Sequence, residues 1–73
     1  ADADLLARLK AWRLAQAREQ AVPAYVILHD STLAEIAQRR PADLDTLAGI
    51  GGIGERKLER YGASIVALVL ERG

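Results

Sequence analysis

Four glycines fall within six positions at Gly49-Ile50-Gly51-Gly52-Ile53-Gly54. No regular helix or strand survives that density of glycine, so this segment must be a loop. After it, Leu58, Tyr61, Ile65, Leu68 and Val69 recur at the i, i+3, i+4, i+7 spacing of one helix face, which predicts a helix from about Glu55 to Arg72. Gly62 shares that face, at about 1 kcal/mol of lost helix propensity, where a missing side chain lets another backbone approach closely. Before the loop, Asp43 is placed to cap a short helix through Leu44, Leu47 and Ala48.

The rest of the chain also reads as helix. Alanine and leucine outnumber the β-branched residues, and no stretch alternates apolar and polar over a strand's length. Asp4 is expected to cap a first helix running to about Gln20. Leu5, Leu9 and Trp12 form one stripe on it, Leu6 widening and Gln16 extending it. Leu14, Ala17 and Ala21 lie on another side, so this helix is expected to touch neighbours over more than half its circumference. Val22-Pro23 ends it, because the residue before proline is pushed out of the helical region. Tyr25 to Leu28 is either one helical turn or a buried extended link. Asp30-Ser31-Thr32 starts a further helix, with Thr32 and Glu35 spaced as a capping box. Leu33, Ile36 and Ala37 supply its apolar face, and Arg39-Arg40-Pro41 closes it. The expectation is an all-α fold: a compact bundle of four to five helices forming a single domain over residues 1–73.

Composition narrows the function. With 51% apolar residues, a packed core is expected rather than disorder. A chain of 73 residues buries only about 60% of its unfolded surface, so stability should be modest. Cysteine is absent, which removes disulfides, Cys-ligated zinc, iron–sulfur clusters and thiol chemistry. There is one histidine, His29, so no His-rich metal site; no metal and no cofactor are expected. No apolar run approaches the roughly 20 residues of a membrane span, and no signal peptide is visible. The chain opens on Ala1-Asp2 rather than methionine, and is expected to be one module of a longer protein. Formal net charge is zero, so anion binding must come from a local patch.

Enzyme is the weakest class. A Ser-His-Asp set built on Ser31 or Ser64 with His29 and Asp30 has no oxyanion or pocket signal beside it. The aspartates mostly occupy helix starts, where carboxylates offset the dipole, so no catalytic residue is assigned. The glycine loop says more. Leu47-x-x-Ile50-x-Gly52-Ile53-Gly54 followed by Glu55-Arg56-Lys57-Leu58 is similar to a helix-hairpin-helix turn. There Gly52 and Gly54 allow close approach of a phosphate, the following helix N-terminus favours an anion, and Lys57 lies one turn inside. A tight turn that merely packs two helices is the bland alternative.

Basic residues form three groups: Arg8, Lys10, Arg13 and Arg18; Arg39 with Arg40; and Arg56, Lys57 and Arg60. Arg39 and Arg40 suit a helix C-terminus. Arg56 and Arg60, flanked by Glu55 and Glu59, read first as a solvated face. Arg13, beside the apolar stripe, is expected to pair with a buried carboxylate or a carbonyl. Trp12 and Tyr61 belong to the core. Tyr25 follows Val22-Pro23-Ala24 in a connection, where an exposed ring stacks single-stranded bases or, alternatively, seals the bundle end. These residues give an expected weak single-strand site around Tyr25, with cations from Arg18, Arg39 and Arg40, and a competing phosphate site at Gly52, Gly54 and Lys57.

In combination the pattern resembles a known family. Leu9-x-x-Trp12-Arg13 precedes Val22-Pro23-Ala24-Tyr25-Val26-Ile27 and Asp30-x-Thr32-Leu33-x-x-Ile36-Ala37. Pro41, the glycine loop and Lys57-Leu58-x-x-Tyr61-Gly62-x-x-Ile65 follow in order. The chain resembles the HRDC (helicase and RNase D C-terminal) domain, most closely that of bacterial RecQ-type ATP-dependent DNA helicases. The resemblance implies a five-helix bundle with an auxiliary nucleic-acid-binding or regulatory role in DNA repair and recombination. It places ATPase or nuclease chemistry on other domains of a bacterial, cytoplasmic, nucleoid-associated parent. Partners implied are single-stranded or partial-duplex DNA, bound weakly by a neutral monomeric domain, and other domains of the parent helicase. The alternatives are an intramolecular or protein-docking module and the HRDC domain of an RNase D-type ribonuclease.

Overall fold

A computed structural model of the protein describes residues 3–71. Its first element, α1, spans Ala3–Gln20, so Asp4 lies inside the first turn instead of capping it, and its carboxylate sits 3.9 Å from Arg8. Leu5, Leu9 and Ala17 are buried, with Leu6 and Trp12 packed against them. Leu14 and Ala21 are exposed, so the buried face of α1 is narrower than the sequence implies. The helix is closed at Ala21, before the proline acts. Ala21 takes a left-handed φ of 55°, and the N–H groups of Ala21 and Val22 donate to the carbonyls of Arg18 and Ala17. That is a Schellman closure with alanine in the place glycine usually fills.

Of the two readings of the next segment, the helical turn is correct: α2 is Ala24–Ile27, with Ile27 and the following Leu28 buried. The next helix, α3 (Asp30–Arg39), is not opened by a Thr32–Glu35 capping box. Its N-cap is His29, which makes no side-chain cap bond. Thr32 is only 4% exposed and donates instead to the Gly51 carbonyl at 3.2 Å, fastening α3 to the glycine loop. A long-range partner has taken the hydroxyl that the local pattern assigned to the backbone. Leu33, Ile36 and Ala37 form the buried face as expected, and left-handed Arg40 ends the helix with φ 49°.

Asp43 caps α4 (Leu44–Ala48) by accepting the Thr46 N–H at 2.7 Å. After the loop, α5 covers Glu55–Leu70; Arg72, where the periodicity placed its end, lies outside the described residues. Gly62 is buried on it, but a side chain, not a backbone, fills the space: a Cβ there would stand 2.8 Å from Leu44 Cδ2.

Side-chain ties fix the directions of the helices. Gln20 reaches Tyr61, whereas Arg8 reaches the Leu68 carbonyl, so α1 runs antiparallel to α5. Thr32 meets Gly51 and Arg40 meets the Val69 carbonyl, so α3 runs with α5. Arg8 and Arg40 thereby donate to last-turn carbonyls of α5, that of Leu68 also accepting the Glu71 N–H, and set positive charge on the negative end of its dipole. The single core lies between α1, α3 and α5, with α4 laid across α5.

Two exposed carboxylates link stability to pH. Hydrogen bonding from Arg13, and then its charge, hold Asp30 below the ordinary aspartate range; bonding from Thr46 does the same for Asp43. Because both folded pKa values lie below the unfolded value of about 3.9, their stabilisation is complete above that value and is lost as pH falls through the folded values. Melting temperature followed by circular dichroism should hold steady from pH 7 to about pH 5 and fall below about pH 4. Asp43→Asn should show a shallower acid limb than the parent. An identical limb means this carboxylate is not held.

Candidate nucleic-acid interface

Gly54 carries no side chain, and the N-terminus of α5 has no side-chain cap. The first-turn N–H groups of a helix have no partner within it and carry the positive end of its dipole. A Cβ built at Gly54 meets nothing within 4 Å, so this terminus is open to an approaching group. Arg56 and Lys57 stand in that first turn and Arg60 one turn on. With Gln20, Val26 and Tyr61 they line a groove of about 180 Å³ where the end of α1 and α2 meet α5.

Tyr61 anchors the groove. Its ring is 6% exposed and packs edge-on against Trp12, with centroids 5.5 Å apart and an interplanar angle of 83°. Its hydroxyl accepts a hydrogen bond from Gln20 Nε2 at 2.8 Å. Arg60 lies over the same ring, 5.4 Å from its centroid, a cation–π contact that steadies an otherwise long side chain.

What separates these three cations from most others is the lack of an ion pair among the described residues. Arg8 is shared among Asp4, Glu71 and the Leu68 carbonyl. Arg13 donates to the Leu28 carbonyl at 2.9 Å and to Asp30 at 2.7 Å. The carbonyl half of the Arg13 expectation is met; the carboxylate it finds is exposed. Arg39 pairs with Glu35 at 3.2 Å, and Arg40 holds Val69. Among the described residues no carboxylate reaches ion-pair distance of Arg56, Lys57 or Arg60. Glu55 and Glu59 do not line the groove.

The sequence-based sites are partly brought together. Tyr25 is 62% exposed on α2, one residue before Val26 of the groove wall, so the two competing sites are neighbours. Arg18 is exposed in the last turn of α1, two residues before Gln20. Arg39 and Arg40 do not join Tyr25. The bond to Val69 holds Arg40 at the other end of α5, about 18 Å along the axis from Lys57. Gly52 and Gly54 also part company. Gly52 has φ of 91° and is pressed against the Thr32 hydroxyl, whereas Gly54 has φ of −82° and stands open. Arg56, Arg60 and Gln20 were not among the sequence candidates.

Asp30 is engaged by Arg13, and His29 lies against the Tyr25 ring. Among the described residues no cluster of histidine and carboxylates is placed to hold a metal, and no helix is long and apolar enough to cross a membrane.

Known proteins resemble this chain in sequence and in fold. The chain is 52% identical over 71 residues to ATP-dependent DNA helicase UvrD2 of Mycobacterium tuberculosis, covering 97% of this chain and 10% of that protein. It is 40% identical to ATP-dependent DNA helicase RecQ of Haemophilus influenzae, covering 96% and 11% respectively. It therefore spans about a tenth of the length of these helicases, and the UvrD2 sequence is more similar to it than this RecQ. The solved HRDC domain 3 of D. radiodurans RecQ superposes with a TM-score of 0.89 at 34% identity, over 93% of this chain and 90% of that one. A family model described as "HRDC domain" matches residues 2–69, and the chain belongs to that family.

Proposed function

We propose that this domain is an accessory nucleic-acid-binding module of a DNA helicase, contacting single-stranded or partial-duplex DNA and tuning which DNA structures the parent acts on in repair and recombination. The observation that carries this reading is the groove of unpaired cations at Arg56, Lys57 and Arg60 beside an uncapped helix N-terminus and an exposed ring at Tyr25. A nucleotide is the ligand that suits all three features: cations and N–H groups supply charge and directed donors for its phosphate, and the ring supplies a stacking face for its base. With three free cations and no net charge, binding is weak and strongly salt-dependent. The motor chemistry belongs to other parts of the parent.

Chemical-shift mapping with oligo-dT tests this reading. Shifts should concentrate at Gln20, Tyr25, Val26, Gly54, Lys57 and Arg60, and leave Arg8, Arg40 and Val69 still. Shifts confined to the Arg40 end, or none at millimolar DNA, would overturn it and make docking to another protein domain the leading function.

A further inference from the structure

Tyr61 is only 6% exposed, yet it lines the cationic groove. Its hydroxyl accepts from Gln20 Nε2, and among the described residues no acceptor takes its own O–H. Gln20 lines the groove as well, so this proton stands between two groove residues, ready for a ligand rich in acceptors. A buried donor without a partner is costly, and a ligand that accepts from it relieves that cost. Arg60 lies over the same ring, 5.4 Å from its centroid. Tyr61 therefore brings a neutral donor and a steadied cation together at one point of the groove.

We propose that the Tyr61 hydroxyl and Arg60 form the seat of a terminal phosphate, the phosphomonoester at the end of a DNA strand, with the next diesters on Lys57 and Arg56; the proposal rests on the nucleic-acid reading above. Size and connectivity select that group. The groove encloses about 180 Å³, below the roughly 300–1,000 Å³ of pockets that take a whole drug-sized ligand. It admits a compact anion but not a base with its sugar. A diester within a strand carries a nucleoside on either side, so it cannot reach a nearly buried hydroxyl without bringing both. A terminal phosphate has chain on one side only, and it offers three free oxygens and nearly two negative charges. Those oxygens match the donors of Tyr61 and Arg60, and a guanidinium engages two of them at once. Lys57 and Arg56 stand toward the open N-terminus of α5, where the strand leaves the groove.

The test compares oligo-dT strands by fluorescence anisotropy: one with a 5′-phosphate, one with a 3′-phosphate, and one with hydroxyls at both ends. The last is made longer by about two nucleotides, so that total charge matches. The parent domain should bind at least one phosphorylated strand about tenfold more tightly than the hydroxyl-ended strand, the lower end of a hydrogen bond to a charged group. Tyr61→Phe keeps the ring that packs on Trp12 and should lose most of that preference. In the parent, the phosphorus resonance of the terminal phosphate should shift further on binding than those of the diesters. Inorganic phosphate should displace the phosphorylated strand only far above the strand's own Kd. Displacement at matching concentrations would make the seat a free-anion site and overturn the strand-end assignment. If the three strands bind alike, or a folded Tyr61→Phe keeps the full preference, the seat is wrong while the phosphate groove stands. If the parent binds no strand, the nucleic-acid reading falls and the seat with it.

Discussion

Gly52→Ala should destabilise the domain by about 2–5 kcal/mol, the sum of two separable effects. The backbone at Gly52 has φ of 91°, where a Cβ is penalised by roughly 1–2 kcal/mol. That Cβ would also collide with the Thr32 hydroxyl. Thr32 would have to turn away from the Gly51 carbonyl while only 4% exposed, leaving a buried polar group unsatisfied. Such a group costs roughly 1–3 kcal/mol. For a domain of this size the total is a melting temperature lower by roughly 8–40 °C. Gly54→Ala, at φ of −82° with open space around it, should cost about 1 kcal/mol or less as a lost N-cap glycine. In a Thr32→Ala background the collision is gone, so Gly52→Ala should there retain only the φ penalty. Parent-like melting of Gly52→Ala would contradict both the loop conformation and the Thr32 contact.

Elements fixed by local chemistry were legible in the sequence. The glycine run, the buried stripe of α5 and the Asp43 cap of α4 each depend on residues a few positions apart, and all three are present. Misreadings arose where a distant partner took a group that local rules had assigned. Thr32 matched a capping box, but its hydroxyl serves Gly51; Arg39-Arg40 matched a cationic patch, but Arg40 serves Val69. Ala21 gave no sign of its left-handed turn, because alanine carries none of the signal that glycine does there.

The site was half legible for the same reason. Tyr25 and Lys57 stand out by their immediate neighbours, whereas Gln20 joins them only through the packing of α1 on α5. One available signal went unused at Arg56 and Arg60. A solvated, salt-bridged face places opposite charges four residues apart. Here Glu55 is four before Glu59 and Arg56 four before Arg60, so the four-residue pairs join like charges, and only Arg56 and Glu59, three apart, join opposite ones. Like-charge pairs at that spacing cost stability on an isolated helix.

With Arg56, Lys57 and Arg60 as the proposed phosphate contacts, replacing all three by glutamine should have the largest effect on binding. Glutamine is a good helix former and none of the three has an ion pair to lose, so the variant should keep the parent's helical spectrum and melt. Each phosphate neutralised on a single strand contributes about −0.7 to the slope of log affinity against log salt. Three contacts give the parent a slope of about −2, which is roughly a fifteenfold loss between 50 and 200 mM salt. The direct measurement is oligo-dT affinity of parent and triple variant by anisotropy across that range. The expected result is a variant at least about tenfold weaker at the lowest salt, with a slope smaller in magnitude by about 2. Equal affinities and parallel slopes in a variant that folds like the parent would contradict the claim.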